Sequence, residues 1–430
     1  MHLPRALCFC CALALLFTAH AFAATVEVGT CGPYTPVYST IQSAVTASSP
    51  GDTVYVCPGT YAEQVRVTID LTIQGLSSGT EQAAIVAVPT GGIPVRDGVL
   101  GTPVAPQIYI ADGANVTISN LTVDGTGNNI TTCAVDLIGI YFQNASGTVT
   151  RSAVLNEILP AGYTGCQAGE GIFAESSPGS TSIVNVNSTI VENYQKDGIT
   201  GNEVGTTLTA ADNTIVGQGS TTGAAENGIQ IAFGATGSVS SNFVADDIWG
   251  PDTVSDTGDA ASGILVYASS GVSITSNTVT STQLGIAVVT DPVLGPANSS
   301  TISSNTVNAT QIFDAIDVCS NSNTVKLNTI SGAAESGIHL DDSCGGATGS
   351  SNIVKNNTVS LACAGILQGA GATGNFFAPG NTFYNVGQTL LMGSDTCSPF
   401  PSFNELGEPS HLAATSQAKA SRPAVKPVRH

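Results

Sequence analysis

Between residues 120 and 381, short apolar runs rich in Val, Ile and Thr return at intervals of 22 to 36 residues. Each run is three to six residues long, alternates with a period of two, and is bounded by Gly, Asn, Ser or Asp. Two markers keep step with the runs. An Asn stands at positions 120, 156, 187, 213, 242, 277, 305, 328, 357 and 381. A Gly-Ile pair begins at 139, 171, 198, 228, 263, 285, 337 and 365, with Ala315-Ile316 in the one gap. A fixed period of this length belongs to a solenoid, in which no unit buries its apolar face alone. The period of two and the β-branched content make the unit a strand unit. Three short strands per copy predict an all-β parallel β-helix of about ten coils. At about 4.8 Å per coil the rod is roughly 50 Å long.

A sharp bend between strands needs a residue that tolerates left-handed backbone, and Asn does so well. The Asn series is therefore expected to form the bends and to bond side chain to side chain from coil to coil. Near the front, Ile41, Ala44 and Val45 have helical spacing, which predicts a short amphipathic helix over the N-terminal end of the rod.

The repeats together with the stretch "YSTIQSAVTASSPGDTVYVCPGTYAEQVRVTIDLTIQG" (residues 38–75) resemble the right-handed parallel β-helix, or pectin-lyase-like, superfamily. The resemblance covers about residues 24–404 and implies a right-handed coil. It also implies that any site lies on the outward face of the Gly-Ile strands. It does not name a function, because the fold carries many.

The ends read differently. Residues 1–23 have a weakly basic start, an apolar run and Ala21-Phe22-Ala23, the pattern of a secretory signal peptide. The β-helix domain is assigned to 24–407. Residues 408–430 carry Lys419, Arg422, Lys426 and Arg429 with almost no large apolar side chain, as a flexible basic tail would. Secretion leaves eight Cys, an even number that favours disulfides. Coil register pairs Cys133 with Cys166, and Cys31 with Cys57 in the N-terminal cap. Cys319–Cys344 and Cys363–Cys397 complete the set.

The formal net charge is −20. Between residues 24 and 410 the basic residues are Arg66, Arg96, Arg151, Lys196, Lys326 and Lys355. Nucleic acid and anionic membrane surfaces need clustered Lys and Arg, so neither is an expected partner. No further run is long enough to insert in a membrane. Oligomeric state is not legible. No Lys or Arg falls on the Gly-Ile strands, so a lyase acting on uronic acids would have to depend on Ca²⁺.

Acidic residues cluster once, at 245–260, where Asp246, Asp247, Asp252 and Asp256 could hold Ca²⁺ or form a solvated loop. Trp249 in the same segment could stack on a sugar. With Ile pointing inward, the outward column of the Gly-Ile strands reads Tyr141, Phe173, Thr200, Gln230, Leu265, Ala287, Asp317, His339, Leu367. A second column holds Gln143, Glu175, Tyr267, Cys319 and Asp341. Tyr141, Phe173, Glu175, Gln230, Trp249 and Tyr267 are thus candidate substrate-binding residues. Asp317, His339, Asp341 and Asp342 are candidate catalytic residues.

Glycoside hydrolysis needs two facing carboxyl groups, and Asp314, Asp317, Asp341 and Asp342 could supply them. The segments "FDAIDV" and "LDDSC" resemble a degraded polygalacturonase pattern. That family's His segment and its Arg-x-Lys segment have no counterpart here. Of the mature histidines, His339 alone lies in the repeats, which gives copper delivery few ligands.

Two classes of function follow. One is a secreted protein that binds or acts on an extracellular polysaccharide through the Gly-Ile face, with glycoside hydrolase or Ca²⁺-dependent lyase as possible activities. The other is a structural or adhesive rod without chemistry.

Overall fold

A computed structural model describes residues 23–76, 84–221, 224–250, 260–310, 313–344 and 348–397. The expected signal peptide and basic tail, and the candidate ligands Asp252 and Asp256, lie outside these residues. The described chain is a right-handed parallel β-helix with one helix, Ile41–Ala47. Thr40 caps that helix by accepting from the Ser43 N–H, and Ile41, Ala44 and Val45 are buried beneath it. All three carry the helical spacing read from the sequence.

One sheet of the coil stacks a strand per turn from Thr25–Val28 to Phe376–Phe377. Thirteen strands stand in that stack among the described residues. The Asn markers count ten, because the three N-terminal coils carry none. The Gly-Ile strands and the strands that follow the Asn positions form a second, continuous sheet wrapped round the rest of the coil. Among the described residues strand pairing is parallel except for Arg96–Asp97 against Pro103–Ile110, and one isolated bridge, Asp291 with Gly295, is also antiparallel. The core is a filled stack of Val, Ile and Ala, and Val54, Ile73, Ile118, Val149 and Val186 are wholly buried in successive coils.

The Gly of each Gly-Ile pair has a steric cause. A Cβ on Gly228 would lie 2.3 Å from Val244 Cγ1 and 2.6 Å from the Gly263 carbonyl oxygen. Gly139 is as tight, at 2.5 Å from Val154 Cγ1. The backbone enters the strand through a gap that admits a hydrogen and no carbon.

The Asn series forms a buried ladder, but the bends belong to other residues. Asn213, Asn242, Asn277, Asn305, Asn328, Asn357 and Asn381 each receive hydrogen bonds on Oδ1 from the preceding member or its equivalent. Asn242, for example, donates its backbone N–H to Asn277 Oδ1 at 3.0 Å and its Nδ2 to the same oxygen at 2.9 Å. The left-handed residue is the one before, such as Asp212, Ser241, Ser276, Ser304 or Leu327. Asn120 and Asn156 are themselves left-handed, and the side chain of Asn187 accepts from Thr150, so these three stand outside the ladder. A buried amide that bonds two coils is worth more to the fold than a permissive backbone, which an exposed Ser supplies as well. A second ladder, Ser300–Asn323–Asn352–Asn375, runs at another corner.

Four disulfides link Cys31–Cys57, Cys133–Cys166, Cys319–Cys344 and Cys363–Cys397. All four are the pairs expected from the sequence.

Candidate functional site

The Gly-Ile strands place the expected column in register. Tyr141 pairs with Phe173, Phe173 with Thr200, Thr200 with Gln230, and Gln230 with Leu265. Ala287 pairs with Asp317, and Asp317 with His339. The column does not face solvent. Tyr141, Phe173, Gln230 and His339 are 0% exposed, Asp317 2% and Asp341 0%. Glu175 and Tyr267 are also buried, while Asp342 and Trp249 are half-buried. The expectation of an open face is corrected here, and its physical cause is a second hydrophobic layer. Leu265, Ala287, Leu284 and Val289 point outward and pack under Phe233, Ala260, Ala268 and Phe313. Further along, Tyr109, Tyr141 and Phe173 stack on one another with Val104, Ala111 and Ile138.

Within this covered layer Tyr141 donates to Glu175 and Tyr109 to Gln143. His339 Nδ1 lies 3.3 Å from Asp314 Oδ2 and 3.9 Å from Asp341 Oδ2. Asp314 in turn accepts from the Ser336 N–H at 3.0 Å and from its hydroxyl at 2.5 Å. Partial burial and the neighbouring Asp342 push the Asp395 carboxyl up to about 6. Asp317 and His339 therefore meet as the register implied, and Asp314 joins them one strand position before Ala315.

A group that the sequence reading placed off the Gly-Ile strands lies beside them. Lys196 directly precedes strand Asp197–Asn202, is buried, and donates to the Ala225 carbonyl at 2.6 Å, 3.6 Å from Asp197 Oδ1. Around the corner Tyr194 donates to Asp247 Oδ1 at 2.6 Å. Burial pushes the carboxyl of Asp247 well up, against the Tyr194 hydrogen bond that lowers it. Burial does the same to Glu157, helped by Asp124 and Asp136, and to Glu226, helped by Asp247 against the lowering effect of Gln218 and Lys196. The segment expected as a flexible acidic loop begins as a strand, Phe243–Trp249. Asp247 is a buried hydrogen-bond acceptor there, and Asp246 occupies a left-handed bend.

The opposite sheet offers a different surface. Its outward column reads Thr72, Thr117, Thr148, Asn185, Thr209, Ser238, Ser273, Thr301 and Thr324, one residue per coil. Two residues on, a parallel column runs Gln74, Ser119, Thr150, Asn187, Ala211, Ser240, Thr275 and Ser303. From Thr72 to Ser303 neither column carries an ionised side chain; Lys326 follows Ser303, and Glu27 stands two coils before Gln74. Most of these residues are half-buried, and Ser273 is exposed. Neighbouring side chains bond to one another, as Thr150 does to Asn187 at 2.6 Å. A depression of about 330 Å³ opens on this face between Asn115, Ser146, Gly147, Thr148, Ile183 and Asn185. The period-two alternation contained this surface, but a neutral Thr/Ser series draws no attention as chemistry.

Residues 180–396 match the family described as periplasmic copper-binding protein (NosD). No curated protein sequence matches the chain. Among solved structures, the A-module of the Azotobacter vinelandii mannuronan C-5 epimerase AlgE6 superposes with a TM-score of 0.50 at 14% identity, covering 84% of this chain and 93% of that one. The catalytic unit of a GH87 α-1,3-glucanase from Streptomyces thermodiastaticus superposes with a TM-score of 0.51 at 15% identity, covering 82% and 66%. At these identities the likeness is one of fold.

The donor set bears on the copper in the family description. Ligand atoms of Asp314, Asp317 and His339 lie within 4.8 Å of one another, as do those of His339, Asp341 and Asp395. The eight described cysteines are all in disulfides, and Met392 is 57% exposed on the last coil. One imidazole with carboxylates suits Cu(II) or another divalent ion. Cu(I) would need thiol or thioether donors, which the cluster lacks.

Proposed function

This chain belongs to the NosD family, and we propose that it is an extracytoplasmic rod that binds a neutral polysaccharide along its Thr/Ser/Asn columns. The uncharged ladder on a chain of net charge −20 carries the reading. The two columns carry no ionised side chain over eight successive coils, from Thr72 to Thr301, so the partner this face fits is uncharged and rich in hydroxyls. A sugar ring is about one coil long. A glycan running parallel to the rod therefore meets an equivalent donor and acceptor at each turn. Each hydrogen bond nets only about 0.5–1.5 kcal/mol. Repetition along one chain makes the sum useful, because each later contact forms at high effective concentration. The depression at Gly147 gives one point where a ring can sit deeper. The fold neighbours include a mannuronan C-5 epimerase and an α-1,3-glucanase, which is consistent with a polysaccharide partner.

Binding is favoured over cleavage because the carboxylates Asp317 and Asp341 lie under a covered layer and the ladder offers no acid. The test is retention on insoluble neutral glucans and chitin, compared with alginate and polygalacturonate, with reducing ends measured in parallel. Retention on a neutral polymer without new reducing ends is expected. Thr148→Lys with Thr209→Lys should weaken it at least tenfold with an unchanged circular dichroism spectrum. Retention on the polyanions alone would overturn the reading.

The family description favours a second reading at the other face. There His339 with Asp314 and Asp317 would hold the ion, and these residues would supply carriage of a divalent cation. The protein's part is to present one imidazole, oriented by Asp314, which Ser336 fixes in turn. Equilibrium dialysis against Cu(II) is expected to give a single site that His339→Gln removes. A site retained in that variant would move the metal elsewhere.

A further inference from the structure

The two ends of the rod are finished differently. At the N-terminal end the helix Ile41–Ala47 lies over the first coils and buries Ile41, Ala44 and Val45. At the other end the last coil consists of strands Phe376–Phe377 and Thr382–Met392. Phe377 pairs with the buried Val354, and Phe383 with the buried Val359. Among the described residues these are core positions with no following coil above them, and they are only partly covered. Phe376, Tyr384 and Met392 are 60%, 58% and 57% exposed, and Leu390 is 39% exposed. Among the described residues, Thr382–Met392 pairs with one strand only, Thr358–Gln368.

An edge of eleven residues is normally blunted by Lys, Pro, a bulge or a covering element. Thr382–Met392 contains neither Lys nor Pro. From Thr373 to Ser394 the chain carries no Asp, Glu, Lys or Arg. On a molecule of net charge −20 this is a place where a second equally acidic molecule can approach without like charges meeting within the edge itself.

We propose that this end docks on the same end of a second copy of the chain. Two rods meet end to end about a two-fold axis, with the two Thr382–Met392 edges side by side and antiparallel. The contact is isologous, so it uses one surface twice and closes at two copies. The helical lid at the opposite end blocks head-to-tail addition, which would otherwise extend the pair into a fibre. The occupant is a second copy because the edge, the apolar last layer and the lack of charge are all self-complementary. The columns proposed to meet a glycan would then run on across the junction, although the dimer does not depend on that reading.

The experiment is sedimentation equilibrium and small-angle scattering of the full mature chain across micromolar concentrations. A dimer is expected, with a maximum dimension close to twice that of one rod. Tyr384→Lys with Met392→Lys, both at exposed positions, should raise the dissociation constant at least tenfold. The circular dichroism spectrum and melting temperature should stay unchanged. A monomer at every concentration overturns the proposal. So does a dimer whose length equals one rod, which would be side by side. A third refutation is a monomer that dimerises only when residues 398–430 are removed, since that segment would then be the occupant.

Discussion

Strands Ser262–Tyr267 and Ser273–Thr275 belong to one coil and bury their side chains in opposite ways. All six residues of the first are buried. In the second, Ser273 is exposed, Ile274 buried and Thr275 half-buried. The difference is written in the residues themselves. "SGILVY" is a near-continuous apolar run, as expected of a parallel strand covered on both faces. "SIT" alternates, as expected of a strand with one wet face. A functional face sought on the continuous run is sought under a second core. The alternating run is the one that reaches solvent, and it is the one stripped of charge.

The largest effect expected from this contrast comes from a matched pair of substitutions. Leu265→Lys places a charge inside the second layer and should cost more than about 4 kcal/mol. Ser238→Lys, on the ladder, should shift stability by no more than about 0.5 kcal/mol. Urea unfolding of both proteins measures this, and similar midpoints would abolish the distinction between the two faces. Next comes Asn277→Ala. It removes the acceptor of two Asn242 hydrogen bonds and the donor to the Val239 carbonyl. Leaving such groups buried and unpaired should cost about 2–3 kcal/mol. Loss of hydrogen-exchange protection centred on the Asn242 and Asn277 turns would locate it, and uniform protection would refute the ladder's role.

Gly228→Ala should cost about 1–3 kcal/mol by overpacking, since the new carbon meets Val244 and the Gly263 carbonyl. The same change at Gly271, whose Cβ would meet nothing within 4 Å but whose φ is +74°, tests backbone strain without crowding. A smaller loss at Gly228 than at Gly271 would show that the tight gap relaxes.

The mildest effect is one of pH. Burial holds Glu157, Glu226 and Asp247 protonated above the pH at which they ionise in the unfolded chain. Unfolded Asp and Glu lose their protons near pH 4–4.5. The stability these three groups contribute is therefore present below that pH and is lost as pH rises towards their folded values. The melting temperature should fall as pH rises above about 4.5, and Asp247→Asn should flatten the fall. A slope untouched by that substitution would remove Asp247 from the set.

The fold was legible because it is local and repeated. The Gly-Ile pairs are steric necessities, the helix at 41–47 has its spacing, and neighbouring coils bring each Cys to its partner. The register of the candidate column was legible for the same reason, down to Asp317 against His339. Its exposure was not. Whether a strand's second face is wet depends on loops packed over it from other coils, such as those bearing Phe233 and Phe313, and no strand pattern contains them. Lys196 was missed because it stands one residue before the strand. The Asn ladder was half right. A buried amide and a left-handed bend occupy adjacent positions, and composition alone assigns both to Asn.

The disulfides join positions 26, 33, 25 and 34 residues apart, each close to one turn of the coil. They behave as latches on single turns and not as a strap along the rod. Pulled by its two ends, the molecule would peel turn by turn. A free turn of about 25 residues would release roughly 85 Å of chain. A latched turn would give way at its hydrogen bonds and yet lengthen hardly at all. The force trace would thus be a ruler with four short divisions, and adding a reductant would restore them to full length.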